Sequence, residues 1–348
     1  MPRSRTGLYL GALVLFAGCE IPTALPIYET SWSVPAKATT ISVNTFLPGN
    51  QVVATSDNSA FLVTLSPSST TITRTLQQDC SLCVVANGLS VPKPAFSASG
   101  NASLGFPSNV VGATLVHDTL TVTISNGFNF DPLRPGAGAH GYLLLTVLNG
   151  GMVVGRDSAN GANTALPASG TLVRKIPLSG TLTSASGLQV STQINSPTGD
   201  PVLIDASRSI SVTGSTGPVL VSSARVNLID QNVSASPSAI DLSGVASSIT
   251  SRASGASLEM TIDNPFDVSG TLDITLHGST DITKSFVLTA GTTKPSIVFS
   301  QDEIRDLLGH NVAMTVGGTV SGSDVALQPG QTMSVSSRLV LTLNVGGK

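Results

Sequence analysis

Two cysteines, Cys80 and Cys83, stand in the segment Asp79-Cys-Ser-Leu-Cys83 at a spacing that several chemistries use. A redox pair at this spacing places the first cysteine at the start of a helix that follows a strand, which lowers the pKa of its thiol. Here Val84-Val85 follows and Asn87-Gly88 interrupts the segment, which disfavours such a helix. The N-terminal signal described below predicts export to an oxidising compartment, where such cysteines pair. We therefore predict a structural disulfide that closes a turn, and redox activity is the less favoured alternative.

Metal and haem chemistry would need further ligands that the sequence does not supply. Haem attachment needs a histidine directly after the second cysteine, and Val84 stands there. A zinc site needs four ligands, and no second cysteine pair exists. The four histidines, His117, His140, His277 and His310, are not spaced as ligand pairs. The sequence therefore predicts neither a metal site nor a cofactor.

Motifs for nucleophilic catalysis and phosphate binding are also missing. The sequence has no Gly-x-Ser-x-Gly elbow and no Walker loop. Ser90-Val-Pro-Lys93 has the spacing of a Ser-x-x-Lys pair, but Pro92 disfavours the helix that this pair requires. The polar stretch from Asp157 to Asn163 lacks the closing bidentate acid of a calcium loop, so it predicts a hairpin loop. We predict no catalytic residues and no enzyme.

Charged residues are scarce in this chain. Its 348 residues include 17 basic and 20 acidic ones, which gives a net charge of −3, and 11% of residues are charged. Ordinary cytosolic enzymes have about a quarter of their residues charged. Nucleic-acid binding relies on clusters of cations, and no such cluster is present. The chain is nevertheless 41% hydrophobic, which excludes the composition of a disordered protein.

The N-terminus has the order of charged, apolar and small residues that is typical of a secretory signal. Arg3 and Arg5 precede the apolar run Leu8–Ala17, which is shorter than the roughly 20 residues of a membrane-spanning helix. The last two residues of the run and the two that follow it form the tetrad Phe16-Ala17-Gly18-Cys19. This tetrad resembles the lipobox of bacterial lipoproteins, with Phe16 in place of the usual leucine.

The lipobox resemblance implies cleavage before Cys19, diacylation of the Cys19 sulfur and a further lipid on the new amino group. Several acyl chains, at about 0.8 kcal/mol per buried CH2, hold a protein on a membrane permanently. Glu20 replaces the aspartate that retains enterobacterial lipoproteins in the inner membrane, so the resemblance favours lipid anchoring in the outer membrane, on its periplasmic or outer face. We predict residues 1–18 as the signal peptide and 19–30 as the tether.

Alternating apolar and polar residues dominate the chain beyond the tether. Leu120, Val122 and Ile124 predict a strand with threonines on its other face, and the more apolar run Tyr142–Leu148 predicts a doubly buried strand. Further strands are predicted at residues 40–44, 52–55, 60–64, 188–194, 210–213, 219–228, 258–262, 272–276, 286–289, 312–316 and 334–345. Turn residues separate them at the spacing of β-sandwiches or barrels. We predict an all-β chain of tandem antiparallel β-sandwich (immunoglobulin-like) domains, 31–215 and 216–348.

Two short helices are predicted in the C-terminal half of the chain. Ser300-Gln-Asp-Glu303 is a capping box, in which the serine and glutamate side chains satisfy backbone N–H groups at a helix start. The second candidate is Leu242–Arg252, where Val245 and Ile249 lie four residues apart. Each helix is expected to close one end of a sandwich.

A nine-residue pattern, L-x-[VM]-T-I-x-N-[GP]-F, occurs at Leu120–Phe128 and again at Leu258–Phe266. Its asparagine can close an Asx turn at a strand end, so that the phenylalanine returns to the core. The separation of about one domain length predicts two related β-domains, and chance similarity is the alternative. Leu188–Pro197 is a looser third copy.

The strand–Asn-Pro-Phe–strand pattern at 258–276 also resembles LEA-type β-sandwich domains, which implies a seven-stranded sandwich without catalytic residues.

Together these features predict a non-catalytic envelope lipoprotein with a structural or binding role. Its expected partners are the membrane, through Cys19, and an envelope protein or polysaccharide, but no nucleic acid. The alternative is a periplasmic protein that binds lipid or another apolar ligand, which requires a large apolar cavity. A third hypothesis is an enzyme that acts through Cys80 and Cys83 or through an unrecognised pair of acids.

Overall fold

The computed structural model describes residues 27–346, so Cys19, the predicted signal peptide and most of the tether lie outside the described part. The strands are β1 (Tyr28–Pro35), β2 (Thr39–Ser42), β3 (Val52–Ala54), β4 (Phe61–Val63), β5 (Ser69–Thr75), β6 (Ser90–Pro92), β7 (Phe96–Leu104), β8 (Val110–Leu115), β9 (Asp118–Asn126), β10 (Tyr142–Asn149), β11 (Met152–Asn160), β12 (Thr171–Leu178), β13 (Thr181–Thr183), β14 (Leu188–Ser196), β15 (Pro201–Leu203), β16 (Ser209–Ser215), β17 (Val219–Ser234), β18 (Ser238–Asp241), β19 (Ala253–Asn264), β20 (Ser269–His277), β21 (Asp281–Leu288), β22 (Gly291–Thr293), β23 (Ser296–Phe299), β24 (Asn311–Leu327) and β25 (Thr332–Val345). The helices are α1 (Leu76–Asp79), α2 (Ser81–Val85), α3 (Ser247–Thr250) and α4 (Gln301–Leu307). The all-β prediction is confirmed, and every predicted strand overlaps one of these.

The middle of the chain, from β5 to β16, forms one β-sandwich. One sheet has the order β12-β9-β16-β5 and the other has the order β11-β10-β14-β7. Numbered from first to eighth along the chain, these strands pair as 6-3-8-1 and 5-4-7-2. This is the strand order of a jelly roll, in which two Greek keys are wound into two facing sheets. We call this unit the jelly roll.

The two ends of the chain combine into a second β-sandwich, which we call the outer sandwich. Its first sheet has the order β1-β25-β19-β22, with β2 beside β25 and β23 beside β19. Its second sheet contains β17-β24-β20-β21, together with β18 and the β3–β4 hairpin. The second sheet continues through β8 and β13 into the jelly-roll part of the chain, because β8 pairs with β17 and β13 pairs with β8.

The strand pairing divides the chain differently from the boundary predicted between residues 215 and 216. Strands β1 and β2 pair with β25, and β4 pairs with β17. Residues 28–63 therefore belong with the C-terminal strands, and the jelly roll is inserted between the two parts of the outer sandwich. The prediction assumed that strands close in sequence share a sheet, which is the usual tendency but does not apply to these N-terminal strands.

Both copies of the nine-residue pattern form the predicted Asx turn. Asn126 and Asn264 are buried, and their Oδ1 atoms accept the backbone N–H of Phe128 at 2.9 Å and of Phe266 at 3.0 Å. Both phenylalanines return to a core, as predicted. Phe128 stacks on Phe130 at 5.2 Å in the jelly roll, whereas Phe266 packs at 4.4 Å from Phe46 in the outer sandwich.

Both helices predicted in the C-terminal half are present. Helix α4 begins with the predicted capping box, because the Ser300 hydroxyl accepts the Glu303 N–H and the Glu303 carboxylate accepts the Ser300 N–H. Ile304 and Leu307 on its inner face are buried. Helix α3 is a single turn within the predicted range 242–252. Ile249 packs against the core, which is consistent with the predicted apolar face.

Candidate binding surface

The cysteine segment forms a compact turn at the end of strand β5. Cys80 ends α1 and caps the N-terminus of α2, and its sulfur accepts the Cys83 N–H at 3.1 Å. The two cysteines form a disulfide with a Cα–Cα distance of 5.2 Å. The sequence disfavoured a helix after Cys80, yet α2 begins at Ser81 with Cys80 as its N-cap. The helix is only five residues long because Asn87-Gly88 turns the chain.

Both sulfur-bearing side chains are buried, with 4% of Cys80 and none of Cys83 exposed. A redox pair needs an accessible thiolate, so this burial favours a structural role. Closing so short a loop constrains the unfolded chain and contributes about 2 kcal/mol in the chain-entropy model. The disulfide therefore fixes the shape of α2 and of the side chains that it carries outward.

Five aliphatic side chains around α2 face solvent and form what we call the apolar end patch. They are Leu82 (65% exposed), Val84 (50%), Val85 (82%), Leu89 (55%) and Leu203 (57%). The segment from residue 80 to residue 92 contains no charged residue. Single exposed aliphatic residues are ordinary, but five of them on two chain segments that are hydrogen-bonded to each other are typical of an interaction surface.

Backbone pairing holds the apolar end patch in a fixed shape. The turn after α2 uses Gly88, at φ +79°, and the Gly88 N–H donates to the Ile204 carbonyl at 2.8 Å. The Ile204 N–H donates in turn to the Leu89 carbonyl at 2.9 Å. The Asn87 Oδ1 accepts the Ala206 N–H at 2.9 Å. These contacts join the two chain segments that carry the patch, so the patch needs little ordering on binding.

The apolar end patch lies at the end of the jelly roll that is remote from the outer sandwich. Strand β4 pairs with β17 in the outer sandwich, and the chain then enters the jelly roll through β5. Strand β5 runs seven residues, or about 23 Å, before α1 and α2 begin. At this end an ion pair between Arg74 and Asp79 ties β5 to α1, with Arg74 Nε at 3.1 Å from the carboxylate.

Lys93 lies under the same end of the jelly roll and is fully buried. Its Nζ donates to the Ser196 hydroxyl at 2.6 Å and to the Pro197 carbonyl, and it lies 4.9 Å from the centre of the Phe96 ring. Burial lowers the pKa of the Lys93 ammonium from 10.5 to about 7. Lys93 is therefore bound to Ser196 rather than to Ser90 of the Ser-x-x-Lys spacing, which agrees with setting that motif aside. The residues next to Lys93 in the sequence do not predict its burial.

The other residues singled out in the sequence have local partners. Asp157 lies within β11 and pairs with Arg174, at 2.6 Å from its Nε, and this contact lowers the pKa of Asp157. Asn160 ends β11, and its Oδ1 accepts the Ala162 N–H at 2.9 Å. The predicted hairpin loop at residues 157–163 is wrong, because residues 157–160 belong to β11 and the chain then leads to β12 in the other sheet. His277 contacts Asp281 at 2.9 Å. Within residues 27–346, no group of three His, Cys, Asp or Glu side chains is arranged to hold a metal ion.

An open groove of about 730 Å³ crosses the outer sandwich beside β19 and β25. Pro35 and Pro295 border it, and the Arg338–Glu259 ion pair, at 2.7 Å, lies within it beside Lys294. Three charged side chains make this groove unsuited to an apolar ligand. In the described part of the chain, no helix has the length and apolar character of a membrane span.

Comparisons with known proteins give distant likenesses only. No family model and no curated protein matches the chain. Among solved structures, a protein of Parabacteroides distasonis described as secreted is 9% identical, with a TM-score of 0.34 over 90% of this chain and 99% of that chain. The capsid of cowpea mosaic virus is 10% identical, with a TM-score of 0.22 over 81% and 91%. The tandem CBM22 domains of Xyn10C from Paenibacillus barcinonensis are 9% identical, with a TM-score of 0.18 over 80% and 92%.

Proposed function

We propose that the protein is a non-catalytic envelope lipoprotein whose β-scaffold presents the apolar end patch to a protein partner. The observation that carries this proposal is the patch itself, five exposed aliphatic side chains on a disulfide-closed, hydrogen-bonded frame. Their exposed area is on the order of 500 Å², within the range of functional surface patches. The centre of a protein interface is apolar and poor in charge, as this patch is.

The periplasmic carrier of apolar ligands is the weaker of the two candidates. A carrier encloses its ligand in a mostly apolar cavity. The groove beside β19 and β25 is open and carries Glu259, Lys294 and Arg338. The side chains of the apolar end patch face solvent, on α2 and on or next to the β6–β15 ribbon, rather than lining this groove. An anchored scaffold with a docking surface accounts for both features.

The lipid anchor is tested by metabolic labelling with radioactive palmitate in a bacterial host. We expect the native chain to take up label and the Cys19→Ala chain to take up none, because the thiol is the acylated atom. The matched control is the Cys80→Ser/Cys83→Ser chain, which keeps Cys19 and should stay labelled. Label that persists in Cys19→Ala would refute the anchored form of the proposal.

The docking role is tested by a photo-crosslinking amino acid placed at Val85 in intact cells. We expect a crosslinked product of one discrete mass that disappears when Leu82 and Leu89 are both changed to aspartate. The matched control is the same probe at Val298, which is 73% exposed but lies outside the patch. Equal products from both positions, or none from Val85, would contradict a docking role for the patch.

A further inference from the structure

The apolar face of strand β25 becomes more exposed toward its C-terminal end, where it pairs with the start of β1. Along β25, the inward-facing Leu339 and Leu341 are fully buried, Leu343 is half-buried and Val345 is 39% exposed. The apolar face of the strand therefore continues beyond the part of the sandwich that the second sheet covers.

The paired edge strand β1 shows the same progression. Val34 packs against the core, Trp32 is 38% exposed and Tyr28 is 65% exposed. Residues two apart in a strand share a face, and so do directly opposed residues of an antiparallel pair. Because Trp32 opposes Leu341 and Tyr28 opposes Val345, these side chains continue the buried face outward. We call Tyr28, Trp32, Leu343 and Val345 the aromatic overhang.

The length of chain before the overhang limits what can cover it. Ile27, the first described residue, is 65% exposed and precedes Tyr28 directly. Cys19 lies eight residues earlier, and eight residues span at most about 28 Å when fully extended. A lipid on Cys19 therefore keeps Ile27, which directly precedes the overhang, within that distance of the acyl chains.

We propose that the aromatic overhang lies in the interfacial layer of the bilayer that holds Cys19; this inference rests on the proposed lipid anchor. Tryptophan and tyrosine concentrate at this depth because each ring combines an apolar body with one polar group. The other face of β1 carries Glu29, Ser31 and Ser33 and stays in water. The overhang therefore adds a second, weaker contact to the lipid and restricts the tilt of the protein.

This contact would hold the apolar end patch away from the membrane. Ala224, near the start of β17, pairs with Leu327 at the end of β24, and β25 starts five residues later. Strand β25 thus starts at the end of the outer sandwich that joins the jelly roll and runs 14 residues away from it. The aromatic overhang and the apolar end patch are at opposite ends of the molecule.

Trp32 is the only tryptophan in the chain, so its fluorescence reports on the overhang alone. In the experiment, a chain beginning at Cys19 is coupled through that thiol to a maleimide lipid in phosphatidylethanolamine–phosphatidylglycerol vesicles. The other two cysteines are joined in the disulfide and do not react. When the acyl chains are brominated, we expect the Trp32 emission to fall about twofold relative to ordinary vesicles.

A matched reporter separates this result from general membrane proximity. In Trp32→Phe/Val85→Trp the tryptophan moves to the apolar end patch, and its emission should be equal in both kinds of vesicle. Equal Trp32 emission in brominated and ordinary vesicles would overturn the inference. This result is expected if residues 20–26 cover the overhang instead of the bilayer. Since the lipid is attached chemically in this experiment, quenching of Trp32 together with a failed palmitate label would refute the natural lipid anchor but not the affinity of the overhang for a bilayer.

Discussion

Replacing Asn126 by alanine is expected to lower the free energy of unfolding by about 3 kcal/mol or more. The Asn126 amide nitrogen donates to the carbonyls of Phe130, Leu166 and Pro167 at 2.9, 3.0 and 2.9 Å. Its Oδ1 accepts the Phe128 N–H. Alanine would leave the Phe128 N–H and the carbonyls of Phe130 and Leu166 without a partner where water has little access, whereas the Pro167 carbonyl keeps the Gly170 N–H. Each unpaired buried group costs about 1–3 kcal/mol.

The same change at Asn264 should have a similar effect in the outer sandwich. Its amide nitrogen donates to the carbonyls of Val268 at 3.1 Å and Thr289 at 3.0 Å, and its Oδ1 holds the Phe266 N–H. The loss should be slightly smaller than at Asn126, because the Thr289 carbonyl keeps the Thr293 hydroxyl at 3.4 Å and only the Val268 carbonyl is left unpaired. Urea unfolding of the two variants measures both free energies against the native chain.

Asn195, in the looser third copy of the pattern, provides the matched control. It is half-buried and donates only to the Ser97 hydroxyl, at 3.2 Å. Asn195→Ala should therefore cost less than about 1 kcal/mol, as a single net hydrogen bond does. If all three substitutions had equal effects, or if Asn126→Ala cost under 1 kcal/mol, the Asx turns would not be the main support of these strand ends.

Local patterns predicted those parts of the fold that depend on local chemistry. The asparagine turns followed from the identity and order of residues 120–128 and 258–266, because an Asx turn needs only its own segment. The third copy, Leu188–Pro197, lacks the phenylalanine and does not form the buried turn, so treating it as equivalent would be wrong. The capping box at Ser300 was likewise predicted from its own four residues.

Pairing between distant segments was not predictable from local patterns. Strand β1 has the alternation of any edge strand, and nothing within it shows that its partner is β25, about 300 residues later. The burial of Lys93 was hidden for the same reason, since Ser196 and Pro197 are remote in sequence. The apolar end patch had a visible signal, the absence of charge from residue 80 to residue 92, but its exposure depends on the tertiary structure.

The stability of the protein should rise with pH from about 7 to about 10 because of Lys93. Its pKa is about 7 in the folded protein and near 10.5 in the unfolded chain. Between these values the unfolded chain binds one more proton, so raising the pH favours the folded state. From pH 6 to pH 9, linkage gives a gain of about 2–3 kcal/mol in the free energy of unfolding. Urea unfolding of residues 20–348 at both pH values measures it.

Two variants show whether this gain belongs to Lys93. Lys93→Met removes the titrating amine while keeping a flexible apolar side chain, so its stability should lose most of the rise between pH 6 and pH 9. Lys175→Met removes an exposed lysine of β12 and should keep the full rise. A rise of the same size in Lys93→Met would show that Lys93 stays protonated when buried, with its charge held by the Pro197 carbonyl, the Ser196 hydroxyl and the ring of Phe96.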